Sequence, residues 1–129
     1  MERSPLSRIL FVEDDPDIQV VATLALESLG GFRVLVCGSG AEALSRFAEF
    51  VPDLVLLDVM MPGMDGPATL EALRRLPGGD ATPVIFMTAR VQAHEVSGYK
   101  ALGAVEVIGK PFDPMRLAET VREIWSSLP

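Results

Sequence analysis

The sequence is poor in residues that would indicate disulfides or histidine chemistry: it contains one cysteine, Cys37, and one histidine, His94, in 129 residues. A single cysteine excludes an internal disulfide. We expect Cys37 to be a small buried residue in a protein from a reducing compartment. We expect His94 to lie on the surface rather than to bind a metal or carry a phosphoryl group.

Long apolar runs and basic residues are also scarce. No run reaches the roughly 20 residues needed to cross a bilayer, and the first residues lack the apolar stretch of a secretory signal. Lys and Arg number 11 against 18 Asp and Glu, which gives a net charge of −7. This balance argues against a broad nucleic-acid face and against anionic membranes. We therefore expect a cytoplasmic protein with no direct contact to nucleic acid or membrane.

The length and composition are typical of one folded domain, and we predict that residues 1–129 form it. Hydrophobic residues make up 49% of the chain, enough for a packed core. Apolar runs predict strands at 8–12, 32–37, 54–57, 83–87 and 105–108. Helical spacing predicts helices from Pro16, over 40–50, 67–76 and 92–102, and from Pro114. Strands that alternate with helices predict an α/β fold with a parallel sheet and helices on both faces.

Local signals mark several helix ends. Asp15 is suited to cap the first helix, with Pro16 at its first position. Ser39 is suited to cap the second, whereas we expect Asp65 to be a solvated loop or first-turn acid. The buried stripe predicted for the first helix comprises Ile18, Val21, Ala22, Ala25, Leu26 and Leu29.

Polar residues follow four of the predicted strands. Glu13 and Asp14 follow the first strand, Asp58 the third, Thr88 the fourth and Lys110 the fifth. Since the carboxyl ends of parallel strands meet at one edge, these side chains are expected to converge there. Three crowded acids repel one another unless a positive charge lies between them. Their oxygen ligands favour Mg²⁺, which makes the edge a candidate phosphate-handling site.

Four motifs at this edge are similar to those of receiver domains in two-component response regulators. They are Val-Glu-Asp-Asp-Pro at 12–16, Leu-Asp-Val-Met-Met-Pro-Gly-Met-Asp-Gly at 57–66, Met-Thr-Ala at 87–89 and Lys-Pro-Phe at 110–112. The resemblance covers essentially the whole chain. It implies a doubly wound, flavodoxin-like sheet with strand order 2-1-3-4-5.

The resemblance also implies a signalling chemistry. Asp58 would accept a phosphoryl group from the phosphohistidine of a sensor histidine kinase or phosphotransfer protein. Lys110 and Thr88 would contact the phosphoryl oxygens, and Pro111 would follow a cis peptide bond. Such a domain is not an enzyme beyond its self-phosphorylation and slow dephosphorylation.

The metal site implied by the resemblance holds Mg²⁺. Asp14 and Asp58 would be direct carboxylate ligands, and Glu13 would act mainly through water. Met60 would contribute its backbone carbonyl, because a thioether suits magnesium poorly.

The resemblance further implies an output surface on the fourth helix, fifth strand and last helix. Receivers have a large aromatic three residues before the lysine, which turns inward when the threonine is drawn to the phosphoryl group. This chain has Val107 there, without a ring to turn. Candidate contributors to the surface are Tyr99, Val107, Arg116, Val121, Arg122 and Trp125. Alternatively, Val121 and Trp125 belong to the core stripe.

Two other functions are compatible with parts of the pattern. A receiver that only docks proteins would act without phosphorylation, although such members usually lose an acid, the threonine or the lysine. A phosphatase of the haloacid dehalogenase type also uses a strand-end Asp and Mg²⁺. Such phosphatases have an Asp-x-Asp motif at their first strand. In this chain Asp58 follows the third strand, and Met60 stands where the second Asp of the motif would be.

Overall fold

The fold is a five-stranded parallel sheet between two layers of helices, and the computed structural model describes residues 4–129. The strands are β1 Arg8–Val12, β2 Arg33–Cys37, β3 Leu54–Asp58, β4 Val84–Thr88 and β5 Glu106–Gly109. The helices are α1 Pro16–Leu24, α2 Gly40–Phe50, α3 Gly66–Leu73, α4 Ala93–Ala101 and α5 Leu117–Ser127. Neighbouring strands follow the order β2-β1-β3-β4-β5, which confirms the predicted arrangement.

Helix α1 begins where the sequence predicted. Oδ1 of Asp15 accepts hydrogen bonds from the backbone N–H of Asp17 at 2.8 Å and of Ile18 at 3.3 Å. Pro16 occupies the first helical position, where its missing N–H removes no hydrogen bond. The helix therefore starts directly beyond the acids that follow β1.

Beyond Leu24, α1 widens into a π-helical segment, Ala25–Leu29, which the apolar spacing did not predict. Gly31, with φ 71°, follows the segment in the left-handed conformation that glycine favours. Ala22, Ala25 and Leu26 are buried as predicted. Val21 and Leu29 are 43% and 53% exposed, so the prediction that they join the buried stripe is wrong.

The next two helices begin with side-chain caps. Ser39 Oγ accepts the N–H of Glu42 at 3.1 Å, as predicted for α2. Asp65 is not simply a solvated acid, because its Oδ1 accepts the N–H of Ala68 at 2.9 Å and caps α3. Helix α3 ends at Leu73 rather than at 76, and the chain continues in a series of turns in which Gly78 has φ 81°.

Two apolar clusters fill the space on either side of the sheet. The cluster beneath α1 and α5 includes Phe11 and Leu56, and the cluster beneath α2, α3 and α4 includes Leu57 and Phe86. All residues of β3 and β4 are buried, as expected for parallel strands covered on both faces. The ends of these central strands are therefore held rigidly.

Val121 and Trp125 are interior residues rather than contributors to an output surface. Val121 is fully buried, and Trp125 is 8% exposed. Both lie in the cluster beneath α1 and α5, and the indole N–H of Trp125 donates to the Ser4 carbonyl at 2.8 Å. The core-stripe alternative is therefore confirmed for both residues.

Helix α4 is held more loosely than the other helices, since none of its residues is buried. The Tyr99 ring meets the Phe86 ring edge-on, with centroids 5.4 Å apart. Lys100 forms a 3.2 Å ion pair with Glu106 of β5. His94 is exposed, as predicted. Few apolar side chains therefore fix the position of α4 on the sheet.

Arg74 connects the end of α3 to two loops. Its guanidinium donates to the carbonyls of Gly79 and Thr82, both at 2.7 Å, and to that of Gly103 at 3.2 Å. Gly103 forms the turn between α4 and β5. Arg74 thus secures the end of α4 that is farther from the carboxyl edge of the sheet.

Helix α5 begins at Leu117 instead of Pro114, since residues 114–116 form a turn. The Asp113 carboxylate accepts the N–H of Met115 at 2.9 Å in this turn. Within residues 4–129, no helix combines the length and apolar character needed to span a bilayer.

Candidate functional site

The predicted polar residues lie at one edge of the sheet. Asp58 ends β3, where it lies opposite Met87 of β4, and Thr88 ends β4 opposite Gly109 of β5. Glu13 directly follows β1, and its N–H donates to the Cys37 carbonyl at 3.0 Å. The register of the parallel strands therefore brings these separated segments together.

Three carboxylates form the acidic part of the site. Glu13, Asp14 and Asp58 each place one oxygen within 4.8 Å of the oxygens of the other two. Glu13 and Asp58 are 1% and 3% exposed, whereas Asp14 is exposed. Carboxylates that lie this close together, two of them buried, require a cation to compensate their negative charge.

Lys110 supplies that compensation from the chain itself. Its Nζ donates to Glu13 Oε1 at 2.8 Å and to Asp58 Oδ1 at 3.2 Å. Burial by itself lowers the pKa of Lys110, but the hydrogen bond to Glu13 and the charge of Asp58 raise the pKa above its usual value. The ammonium is thus held charged between two buried acids. The Lys110–Pro111 peptide is cis, as the resemblance implied.

Glu13 is engaged through all of its polar groups. Besides Lys110, its Oε2 accepts the N–H of Asp15 at 3.2 Å, and its carbonyl accepts the Gln19 side-chain N–H at 2.6 Å. Burial raises the pKa of Glu13, and the hydrogen bond from Lys110 offsets only part of that effect. Within residues 4–129, no hydrogen bond or ion pair reaches the Asp14 carboxylate. Asp14 therefore has free ligand capacity, and Glu13 has little.

Thr88 and Met60 border the same cavity as the acids and Lys110. This cavity has a volume of about 280 Å³. Thr88 is buried, and its hydroxyl oxygen accepts the N–H of Arg90 at 3.1 Å. Met60 exposes 67% of its surface, whereas its neighbour Met61 is buried. Every site residue predicted from the sequence thus lies around this cavity.

Two residues near the site were not predicted from the sequence. Gln19 binds the Glu13 carbonyl, and Gly66 closes the loop after Asp58 by donating its N–H to the Val59 carbonyl at 2.9 Å. A Cβ on Gly66 would lie 2.8 Å from the Asp58 carbonyl oxygen. The sequence carried no spacing signal for Gln19, and Gly66 was recognised in the sequence only as the last residue of the motif at 57–66.

Comparison with known families decides what kind of domain this is. The model of the response regulator receiver domain matches residues 9–122. The chain belongs to this receiver-domain family. Receivers of this family are domains of two-component signalling systems, and the acidic cluster of Glu13, Asp14 and Asp58 is compatible with their Mg²⁺ site.

Similar proteins include longer regulators. The DNA-binding response regulator MtrA of Mycolicibacterium smegmatis is 38% identical over 115 residues, which cover 89% of this chain and 49% of MtrA. The transcriptional activator PfeR of Pseudomonas aeruginosa is 43% identical over 109 residues, covering 84% of this chain and 34% of PfeR. This receiver therefore spans half or less of the length of these relatives.

Solved structures show the same fold. The chemotaxis response regulator CheY4 of Vibrio cholerae superposes with a TM-score of 0.85 at 28% identity, covering 92% of this chain and 98% of CheY4. The signal receiver domain of a histidine kinase from Syntrophus aciditrophicus has a TM-score of 0.80 at 32% identity, covering 95% and 92%. The fold thus occurs both in a chemotaxis regulator and within a kinase.

Proposed function

We propose that this receiver is a phosphorylation switch in which Asp58 accepts a phosphoryl group. The donor is the phosphohistidine of a sensor histidine kinase or of a phosphotransfer protein. The observation that carries this proposal is the bridge from Lys110 to Glu13 and Asp58 beside the free carboxylate of Asp14. A lysine and three acids around one open cavity suit an anionic group that arrives with a divalent cation.

The donor set fits Mg²⁺, because all of the available ligands are oxygens. Asp14 and Asp58 would bind it directly, together with the carbonyl of Met60. Glu13 would act through water, since Lys110 and the N–H of Asp15 already occupy its two oxygens. When bound, Mg²⁺ supplies positive charge that reduces the repulsion between the carboxylate and the phosphoryl oxygens.

The transfer is a displacement at phosphorus. An Asp58 carboxylate oxygen forms the new P–O bond while the P–N bond to the donor imidazole breaks, and the imidazole nitrogen keeps that electron pair and takes a proton. Lys110 can follow the developing charge because its Nζ already lies 3.2 Å from Asp58. The Thr88 hydroxyl, now an acceptor from Arg90, can donate to a phosphoryl oxygen. Hydrolysis of the acyl phosphate by water resets the domain.

The switch acts through proteins in this proposal. We place one receiver domain over residues 1–129 and, from its single unpaired cysteine, a cytoplasmic location. MtrA is named a DNA-binding regulator, but the similarity covers only about half of it. Contact with DNA would therefore belong to an effector region joined to this chain, because the net charge of −7 suits a protein partner better than a nucleic acid.

Intact mass after incubation with acetyl phosphate and Mg²⁺ tests the phosphoacceptor. We expect one added phosphoryl group on the parent and on Asp17→Asn, which removes a nearby acid outside the site. We expect none on Asp58→Asn. If Asp58→Asn is phosphorylated as much as the parent, the acceptor is another residue. If EDTA leaves the phosphorylation of the parent unchanged, Glu13 and Asp14 have no metal-binding role in the reaction.

We propose that α4, β5 and the start of α5 carry the output, with Tyr99, Val107 and Arg116 as contributors. Arg122 is a weaker candidate, because its guanidinium donates to the Gly30 carbonyl at 2.7 Å and lies over Phe32. Both contacts are at the α1 side of α5. Val107 has no ring, and its cross-strand partner Phe86 instead carries the edge-on contact with Tyr99 of α4.

Tyr99 is the only tyrosine, so fluorotyrosine labelling gives one ¹⁹F resonance that reports on α4. We expect beryllofluoride, a phosphoryl mimic, to shift this resonance in the parent but not in Asp58→Asn. An unchanged resonance in a protein that binds the mimic would exclude α4 from the output. A folded chain that takes up no phosphoryl group would favour a docking module, and turnover of a small phosphoester would favour a phosphatase.

A further inference from the structure

We infer that Gln19 is a positioning residue for the metal site: its side-chain amide fixes the Glu13–Asp14 peptide and so aims the Asp14 carboxylate. This inference rests on the proposed Mg²⁺ site and adds a residue that binds neither the metal nor the phosphoryl group. Gln19 lies in the second turn of α1, six positions beyond Glu13, and its Nε2 donates to the Glu13 carbonyl at 2.6 Å.

The need for this hydrogen bond arises where β1 leaves the sheet. The N–H of Glu13 still pairs with the Cys37 carbonyl of β2, so the ladder holds one side of the residue. Its carbonyl faces α1 and is held by the Gln19 side chain. The Glu13 carbonyl and the Asp14 N–H belong to the same planar peptide group. A hydrogen bond that fixes the carbonyl therefore also fixes the direction in which the backbone of Asp14 continues from this group.

Asp14 depends on this hydrogen bond more than its neighbours do. The Glu13 side chain is fixed independently by Lys110 and by the N–H of Asp15. Asp58 is fixed by its place at the end of a fully buried strand. The Asp14 side chain is exposed and has no hydrogen-bond or ion-pair partner within the described residues. The backbone is therefore what orients this acid before a cation binds.

Gln19 itself is held in place by its helix. Its backbone N–H donates to the Asp15 carbonyl at 3.0 Å, and Asp15 also caps α1. A Cβ built on Gly38, the residue after β2, would lie 3.7 Å from Gln19 Nε2, so the amide lies close to the chain that leaves β2. The cap, the acid turn and the amide thus form one connected unit at the mouth of the site.

Titration of matched variants with Mg²⁺ tests the inference. Calorimetry gives the Mg²⁺ dissociation constant, and ¹⁵N-resolved NMR spectra follow hydrogen exchange at the Asp14 amide. Gln19→Met keeps the length of the side chain and removes the donor. We expect it to weaken Mg²⁺ binding about fivefold, the equivalent of one ordinary hydrogen bond, and to speed exchange at Asp14. Gln19→His, neutral at pH 8, retains a donor and should recover most of the affinity. Gln92→Met, at the other glutamine, should behave like the parent.

If Gln19→Met binds Mg²⁺ as tightly as the parent, the inference is overturned. This holds even if the variant unfolds at a lower urea concentration than the parent. Equal weakening in Gln19→His and Gln19→Met would also overturn it, because the donor would then not be the cause. A parent that fails to bind Mg²⁺ would overturn the proposed metal site together with this inference. The variants and the parent thus separate the two failures.

Discussion

The Nζ of Lys110 lies 2.8 Å from Oε1 of Glu13, a residue 97 positions earlier in the chain. The Lys110 side chain is 18% exposed and that of Glu13 is 1% exposed, so the pair is largely shielded from water. Together with the contact to Asp58, it makes the lysine the counterion that the chain itself supplies to the buried acids. Its removal should cost more than the loss of an ordinary surface ion pair.

We expect Lys110→Met to lower the free energy of unfolding by about 3 kcal/mol without Mg²⁺, since two buried carboxylates lose their cation. Saturating Mg²⁺ should reduce this loss, because the metal replaces the missing positive charge. Lys100→Met is the matched control, as it removes a pair with Glu106 whose side chains are 46% and 38% exposed and which is worth less than about 1 kcal/mol. Urea unfolding with and without Mg²⁺ measures both. Equal losses in the two variants would contradict the buried-counterion role.

Two glycines should respond in opposite ways to alanine. A Cβ at Gly66 would lie 2.8 Å from both the Asp58 carbonyl oxygen and Val59 Cα, so Gly66→Ala should destabilise by about 1–3 kcal/mol and weaken Mg²⁺ binding. A Cβ at Gly98, within α4, would meet nothing within 4 Å among the described residues. Gly98→Ala should therefore stabilise by about 0.5–1 kcal/mol. Thermal melts and Mg²⁺ titration distinguish the two, and a stabilising Gly66→Ala would refute the close approach.

Stability should fall at alkaline pH because of Cys37. Burial raises its pKa from 9.0 to about 11. Between these values the unfolded thiol has lost its proton while the folded one retains it, so the free energy of unfolding decreases as pH rises above about 9. The loss should be on the order of 1 kcal/mol by about pH 10. Cys37→Ala should lack this component of the fall, and parallel pH curves for the two proteins would count against it.

Arg74→Lys should destabilise by about 2 kcal/mol, because a lysine cannot reach the three carbonyls that the guanidinium binds. The adjacent Arg75→Lys is a matched control, since the only side-chain partner of Arg75 among residues 4–129 is Glu71, in an exposed ion pair. It should change stability by less than about 0.5 kcal/mol. Chemical denaturation measures both, and amide exchange at Gly103 should rise only in Arg74→Lys.

The strands and the site edge were predictable because the strands are apolar runs, and four of the five end in or are followed directly by a polar residue. Asp58 and Thr88 could be placed from that change alone. The cap at Asp15 could also be predicted, since Pro16 follows it directly and is suited to the first position of a helix. These signals are local, and the parallel register converts them into proximity.

Other features depend on contacts that no local pattern records. The side-chain amide of Gln19 became relevant only because α1 returns over the end of β1. Trp125 was a candidate for the surface as well as for the core stripe, and the packing of α5 on the sheet shows that it is an interior residue. The π-helical segment also escaped prediction, because its apolar residues still fit an ordinary helical stripe.

The strand order has a consequence for how the molecule can be made. Strands β1 and β2, the first two in the chain, are neighbours, and β3, β4 and β5 lie in sequence order outward from the other side of β1. During synthesis, each strand from β3 onward that emerges from a ribosome meets an edge already formed by its predecessors. The sheet can therefore grow in the order of translation, without waiting for the last residues of the chain.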